Sequence, residues 1–432
     1  MSDPAAPPAS PDAGSGAPDP AAPPKGAMAA IFLVAVMDFL GFGIIIPLLP
    51  NFLPELNEEA LERNVVNVLK VTLIFSIFSA CQFIGAPVLG SLSDRKGRRP
   101  VLVVSQLGSA AGYLMLAAAP FCGAWTLWVV YLSRVIDGFT GGNVATAQAY
   151  ISDVTTPANR AKGMGMLGAA FGIGFSLGPV VGGVLGHFGG VLGARLGMPA
   201  GQMDVALPAA LAAVLAALAA VMSQLKLTDT RTHRPSEAGV WLHPRSLAPA
   251  FRSPVVTQLL LISFCIMAAF VMMESTLVIF VRSHKHFGWD QLATGLFFGW
   301  LGLCIIVVQG GLVGRLTRGG GGLGRAEWAM AVVGPIFVAL GMAAFAGTAW
   351  VASVPLLLLA GAVNATGRSL QQPAASSLLS RYSSSRDQGT VFGVYHGLGS
   401  LARVVGPIVA GLTYRYWNNT GQFVTAGVIA VA

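Results

Sequence analysis

Apolar runs of about 20 residues or more, the length that carries a helix across ~30 Å of hydrocarbon, recur along this chain with only short interruptions. In lipid a helix satisfies its own backbone hydrogen bonds, so each run reads as a spanning helix and the chain as an all-α membrane protein. The first six runs cover 28–53, 71–92, 101–119, 125–152, 163–188 and 205–225. After a polar stretch at 226–253, five more cover 254–281, 292–316, 328–347, 351–379 and 388–414. A twelfth begins near Thr420 and reaches about half a span's length by Ala432, so the last span is expected to be truncated. With 54% of its 432 residues hydrophobic, the chain has too little polar surface for a soluble globule of this size.

The charges set the topology. Assigning loops alternately to two sides places Arg63, Lys70, Arg195, Arg282, Lys285 and Arg415 on one, beside the acidic cluster Glu55, Glu58, Glu59 and Glu62. Seventeen cations, running from Lys25 through Arg160, Arg231 and Arg318 to Arg386, fall on the other. Short basic loops resist translocation, so the richer side, with the N-terminus, is expected in the cytoplasm of a cell with the protein in its inner membrane. The net charge of +8 resides in these loops and forms no basic domain, which argues against a nucleic-acid partner. Cys81, Cys122, Cys265 and Cys304 sit in or beside different runs without metal-ligand spacing, and no metal site is expected. The expected organisation is a disordered cytoplasmic tail over 1–26, a six-helix bundle over 27–226, a cytoplasmic loop over 227–253 and a second helix bundle over 254–432.

Six runs, a long loop and six more suggest a duplication. The fifth and eleventh runs align without gaps: Gly165, Gly178, Pro179 and Gly183 fall on Gly393, Gly406, Pro407 and Gly411. The charged turn Gly90-Ser-Leu-Ser-Asp94-Arg95-Lys96-Gly97-Arg98-Arg99, between the second and third runs, has a degraded counterpart at Gly314–Gly319 in which Arg318 takes the place of Asp94.

That turn resembles the GxLxDRxGRR signature of the major facilitator superfamily. The decapeptide from Gly174, with Gly178, Pro179, Gly182 and Gly183, fits GxxxGPxxGG and resembles the antiporter motif of the superfamily's drug:proton exporters. Its glycines flatten a helix face so that a neighbour can pack closely. Asp38-x-x-Gly41-x-Gly43 with Pro47 and Pro50, Tyr131–Arg134, Gly141-Gly142 and Ala149–Asp153 extend the likeness to the twelve-span tetracycline-type exporters. The resemblance implies two six-helix bundles related by a pseudo-two-fold axis, working by alternating access. It also implies that Asp94 holds an inner gate by reaching the other half, where the eleventh run begins near Asp387. A position that is usually glutamine in the family is Asp137 here.

Charge inside the bilayer is costly and normally faces a partner, a cavity or water, which makes Asp38, Arg134, Asp137, Glu274, Arg368 and Arg403 the functional shortlist. Arg134 and Asp137 stand three apart and can pair on one face, a structural role as well as a transport one. Asn364, Arg368, Gln371 and Gln372 give the tenth run a polar face, and His396, Ser400 and Arg403 do so on the eleventh. Asp38, then Glu274, then His396 are the expected proton-coupling groups; Arg134, Asp137, Asn364, Arg368, Gln371, Gln372 and Arg403 are the expected lining of a substrate cavity. A carboxyl whose water exposure or distance to a cation changes between states can bind a proton on one side and release it on the other. The resulting expectation is a monomeric, proton-driven exporter of small lipophilic or amphipathic molecules, with no cofactor beyond the proton gradient and no enzyme activity. Uptake or exchange of a metabolite, or a sensor on the same fold, stand as alternatives. No GxxxxGK[ST] sequence is present to bind a nucleotide.

Overall fold

The computed structural model describes residues 26–52, 65–155, 157–229, 248–283, 285–313, 315–316, 323–383, 388–416 and 420–431. The helices are α1 Ala27–Ile45, α2 Val65–Lys96, α3 Arg98–Ala118, α4 Thr126–Thr140, α5 Val144–Val154, α6 Pro157–Arg195, α7 Met203–Lys226, α8 Pro254–Arg282, α9 Gln291–Val307, α10 Leu323–Gly347, α11 Val354–Tyr382, α12 Gln388–Thr413 and α13 Gly421–Val431. A 3-10 segment, Ile46–Phe52, prolongs α1, and a π-helical segment, Val308–Val313, prolongs α9. With α4 and α5 as two pieces of the fourth crossing, the described residues hold a helix at each of the twelve expected places, the last, α13, only eleven residues long. Eight are long and apolar enough to cross a bilayer by length and composition alone. In the other four, the fourth is interrupted at Gly141–Asn143, α11 and α12 carry polar faces, and α13 is short.

The expected turn over Gly90–Arg99 shrinks to one residue, because α2 runs on to Lys96 and α3 starts at Arg98. Gly97 between them holds φ +99°, a conformation costly for any residue with a Cβ. The tail over 1–25, the loop positions Arg231, Arg234 and Arg245, and Arg318, Arg386 and Asp387 lie outside the described residues, as do the side chains of Arg160 and Lys162.

Pairings in the first six crossings recur in the last six. Helix α1 packs on α6 and α7, and α8 packs on α12 and α13; α3 packs on α7 and α4, and α10 packs on α13 and α11. Across the halves, α6 packs on α9 and α2 packs on α12, a pair of seams related by the same exchange. This is the pseudo-two-fold relation of two six-helix bundles.

The apolar core shows how the halves meet. At the end opposite the Gly97 turn, one continuous cluster joins Ile44, Val71, Leu116 and Val205 of the first half to Val278, Phe280, Phe345 and Phe423 of the second. At the turn end the core divides. One cluster, with Ile31, Leu102, Tyr150 and Leu167, belongs to the first half, and another, with Leu259, Met330, Leu378 and Val391, to the second. The molecule is therefore sealed at one end and parted at the other. Outside the cores, large apolar side chains such as Val104, Leu107, Leu114, Phe188, Val221 and Leu340 stand exposed, as lipid-facing residues do. Trp125, Trp128 and Trp350 are exposed at the sealed end, where indole rings suit a membrane interface.

Candidate substrate and proton site

In the first half the charged residues collect where the fourth crossing breaks. Gly142 lies against the backbone of Gly85 and Ala86 on α2, an approach a side chain would obstruct. The 3-10 turn at Gly141–Asn143 points Asn143 across to α1, where its Nδ2 donates to Asp38 Oδ2 at 3.0 Å. The Gln106 amide of α3 also faces Asp38; its Oε1 accepts from Ser223 Oγ at 2.9 Å, while its Nε2 is without a partner of hydrogen-bond geometry. One turn away, Arg134 and Asp137 form the expected ion pair at 3.1 Å, both deeply buried. The Arg134 guanidinium also lies 5.6 Å from the Tyr113 ring and 6.0 Å from the Phe78 ring. It forms one wall of a small apolar cavity shared with Phe42, Ile45, Ile46, Ile74, Phe75 and Phe78.

The second half is built differently. Glu274 on α8 is 6% exposed, and its Oε1 has no hydrogen-bond partner. Its charge is felt by Arg368 on α11 and Arg403 on α12, yet no direct ion pair joins it to either. Arg368 is 8% exposed and lies 3.4 Å above the Phe270 ring. Arg403 donates from Nη2 to Ser400 Oγ at 3.1 Å, while its Nε has no partner. Gln371 donates to Ser263 Oγ at 3.1 Å and Asn364 to the Val338 carbonyl at 3.4 Å, so these two tie α11 to α8 and to α10. Gln372 and His396 stand exposed, the latter with its ring beside Tyr395. The structure thus gathers Glu274, Arg368 and Arg403 around one place, and Asp38, Arg134 and Asp137 around another.

Between the clusters and the sealed end run the seams. Gly174, Gly178 and Gly182 of α6 meet α1; a Cβ on Gly178 would stand 2.6 Å from the Gly43 Cα. The opposite face, with Ser176, Pro179 and Gly183, meets α9; a Cβ on Gly183 would stand 2.5 Å from the Gln291 carbonyl oxygen and 3.0 Å from the Gly295 Cα. The antiporter motif therefore flattens two faces, one within its half and one between halves. In the related seam, Ser76 Oγ of α2 donates to the Val404 carbonyl of α12 at 2.9 Å, and a Cβ on Gly411 would meet the Thr72 and Leu69 side chains.

Polar contacts at the sealed end, beyond those motifs, also join the halves. Asp204 Oδ2 on α7 accepts from Asn51 Nδ2 and from Gln291 Nε2 of α9, each at 2.8 Å. Arg282 at the end of α8 donates to Asn51 Oδ1, and His187 Nδ1 lies 3.4 Å from Asp290 Oδ2. Sequence reasoning missed Asn51, Gln106, Asn143, Asp204 and Gln291. The signals were present as an amide inside the third run, an amide after Gly141-Gly142, and an acid at the start of the sixth.

At the parted end Arg98 ion-pairs with Asp94 and with Asp153, the latter at 3.1 Å, and donates from Nη1 to Ser93 Oγ at 2.7 Å. Arg99 Nε reaches Gln224 at 3.4 Å, while Arg95 is exposed. Gly90 lies inside α2 with open space where a Cβ would stand. Asp94 is engaged within its own half, as a parted end requires, and Asp387, the start of the helix expected to receive it, lies outside the described residues.

A profile of the Major Facilitator Superfamily matches residues 31–353 and 326–432. The class B tetracycline resistance protein of Escherichia coli is 30% identical over 388 residues, covering 89% of this chain and 87% of its own length. The crystal structure of the human organic anion transporter MFSD10 (TETRAN) superposes with a TM-score of 0.68 at 26% identity, covering 94% of this chain and 98% of that one. A bacterial homologue of the human lysosomal transporter Spinster, in an inward-facing and occupied conformation, shares the fold at a TM-score of 0.67 and 15% identity, covering 90% and 82%.

Proposed function

Because this chain belongs to the major facilitator superfamily, and is thus an integral membrane transporter and not an enzyme, we propose that it exports small amphipathic organic molecules in exchange for protons. The observation that carries this reading is the divided core: one apolar cluster seals the halves at one end while two separate clusters leave them parted at the other. A molecule entering from the parted end reaches two buried charge clusters and stops at the seams. Rocking about those seams would move the opening to the other side, the alternating access of a two-bundle transporter. The excess of cations at the Gly97 end supports placing the parted end, and the N-terminus, in the cytoplasm. Relatives named for tetracycline resistance and for organic anion transport support an organic substrate.

Asp38 serves as the proton carrier in this reading. Its partner across the helix break, Asn143, is a neutral amide, so no arginine bonds it directly, and its side chain is partly open. Asp137, by contrast, is occupied by Arg134. The test uses purified protein in liposomes carrying a pH gradient, with tetracycline and a panel of cationic, neutral and anionic lipophiles. Substrate movement against its own gradient, accompanied by opposite proton flow, is expected. Flux that ignores the pH gradient for every compound would overturn proton coupling, and flux in the same direction as protons would overturn exchange.

A further inference from the structure

We infer that Arg368 and Arg403 form an anion-binding subsite in the second half, and that Glu274 is the internal anion which a carboxylate or sulfonate on the substrate displaces. The inference rests on the transporter reading above and assigns the chemistry of one end of its substrate.

Three helices place two cations and one acid together: Arg368 from α11, Arg403 from α12 and Glu274 from α8. One carboxylate is too little charge for two guanidinium groups, and the geometry leaves even that one loosely used. Glu274 Oε1 is buried without a hydrogen-bond partner, Arg403 Nε is buried without one, and no direct ion pair links acid and arginines. A buried charge without a close partner is unfavourable unless something else completes it. The missing group has to be negative and able to accept several N–H bonds, since guanidinium groups offer only donors. A carboxylate or sulfonate fits, because arginine forks match two-oxygen anions. Phe270, 3.4 Å beneath the Arg368 guanidinium, holds that fork by its ring face and leaves the edge free for a ligand. Arg403 is half-buried, which keeps a route to it open. The other titratable groups facing the place are Tyr395 and His396, both on α12.

The arrangement fixes the sign of an interaction. Glu274 and an anionic substrate compete for the same two cations, so neutralising Glu274 tightens anion binding, and by reciprocity the bound anion favours the neutral form of Glu274. A cationic substrate would show the opposite sign.

The test is equilibrium binding to detergent-solubilised full-length protein of two probes of one shape, 2-naphthoate and uncharged 2-naphthamide. Naphthoate is expected to bind more tightly than naphthamide. Arg368→Gln and Arg403→Gln should each weaken naphthoate about tenfold or more, the worth of a charge-assisted hydrogen bond, without changing naphthamide. Glu274→Gln should tighten naphthoate several-fold. The charge-balanced double variant Glu274→Gln/Arg403→Gln guards against misfolding: it should keep naphthamide affinity and lose the gain of the single Glu274→Gln. Equal binding of the two probes, or equal loss of both in the arginine variants, would overturn the subsite. Binding as expected without any transport in liposomes would instead overturn the transporter reading and leave the subsite standing.

Discussion

The two halves repeat each other in packing and oppose each other in charge. Helix for helix, α1 on α6 answers α8 on α12, and α6 on α9 answers α2 on α12. At the centre, however, the first half holds two acids and one base, Asp38, Asp137 and Arg134, whereas the second holds two bases and one acid, Arg368, Arg403 and Glu274. The first half closes its pair, with Arg134 on Asp137 at 3.1 Å, and gives Asp38 an amide. The second leaves its acid and its bases unjoined. A duplicated fold can keep the helix contacts that rocking needs while its halves specialise, one for the proton and one for the charged end of a substrate.

The largest expected effect tests that division directly. Asp38→Asn should abolish accumulation driven by a pH gradient while downhill exchange persists, and Glu274→Gln should retain the drive and change apparent substrate affinity instead. Uphill flux in liposomes measures both, and equal loss in the two variants would break the contrast between the halves.

The seams come next. A Cβ at Gly183 meets backbone of α9, which cannot move aside, whereas one at Gly411 meets the side chains of Thr72 and Leu69, which can. Overpacking of the first kind costs about 1–3 kcal/mol, or about five- to 150-fold in the balance between sealed and open. Gly183→Ala should therefore expose the sealed end to a membrane-impermeant thiol reagent, read at a cysteine placed at the buried Leu48, far more than Gly411→Ala does. Similar labelling in the two would show that the seams are equivalent.

A smaller effect is expected at the polar contacts outside them. Asp204→Asn removes a charge that accepts from both Asn51 and Gln291, and losing about 1 kcal/mol there should raise labelling of the sealed end about fivefold. Unchanged labelling would assign the seal to the glycines alone.

Smallest is Asp94→Asn, whose partner Arg98 keeps Asp153. Contacts near helix ends are worth about 0.3–1 kcal/mol, so turnover should fall about two- to fivefold at equal folded protein. Wild-type turnover in Asp94→Asn would leave the Gly97 turn with a topological role alone.

How far the sequence reached follows from what a helix repeats. The spans, the Arg134–Asp137 pair and the glycine faces of α6 and α12 depend on spacing within one helix, and spacing is written in the sequence. Spacing does not say which way a helix is rotated toward others. Asn143 meeting Asp38 required the 3-10 break after Thr140, and Glu274 between Arg368 and Arg403 required three independent rotations. The Asp204 contacts draw on Asn51 and Gln291, distant in sequence and joined only when the halves close. The turn at Gly90–Arg99 read as a loop because its charges hide that α2 remains helical to Lys96.

The meeting of Gly183 with the Gln291 carbonyl and Gly295 has a consequence for how such a chain can change over generations. Both contacts are made by backbone atoms, so a larger residue at Gly183 finds no compensating side-chain replacement on the other side. Gly411 differs: a methyl group gained there can be offset by a smaller residue at Thr72 or Leu69. Heritable variation in how readily the sealed end opens should therefore accumulate along α2 and α12, while α6 and α9 stay fixed.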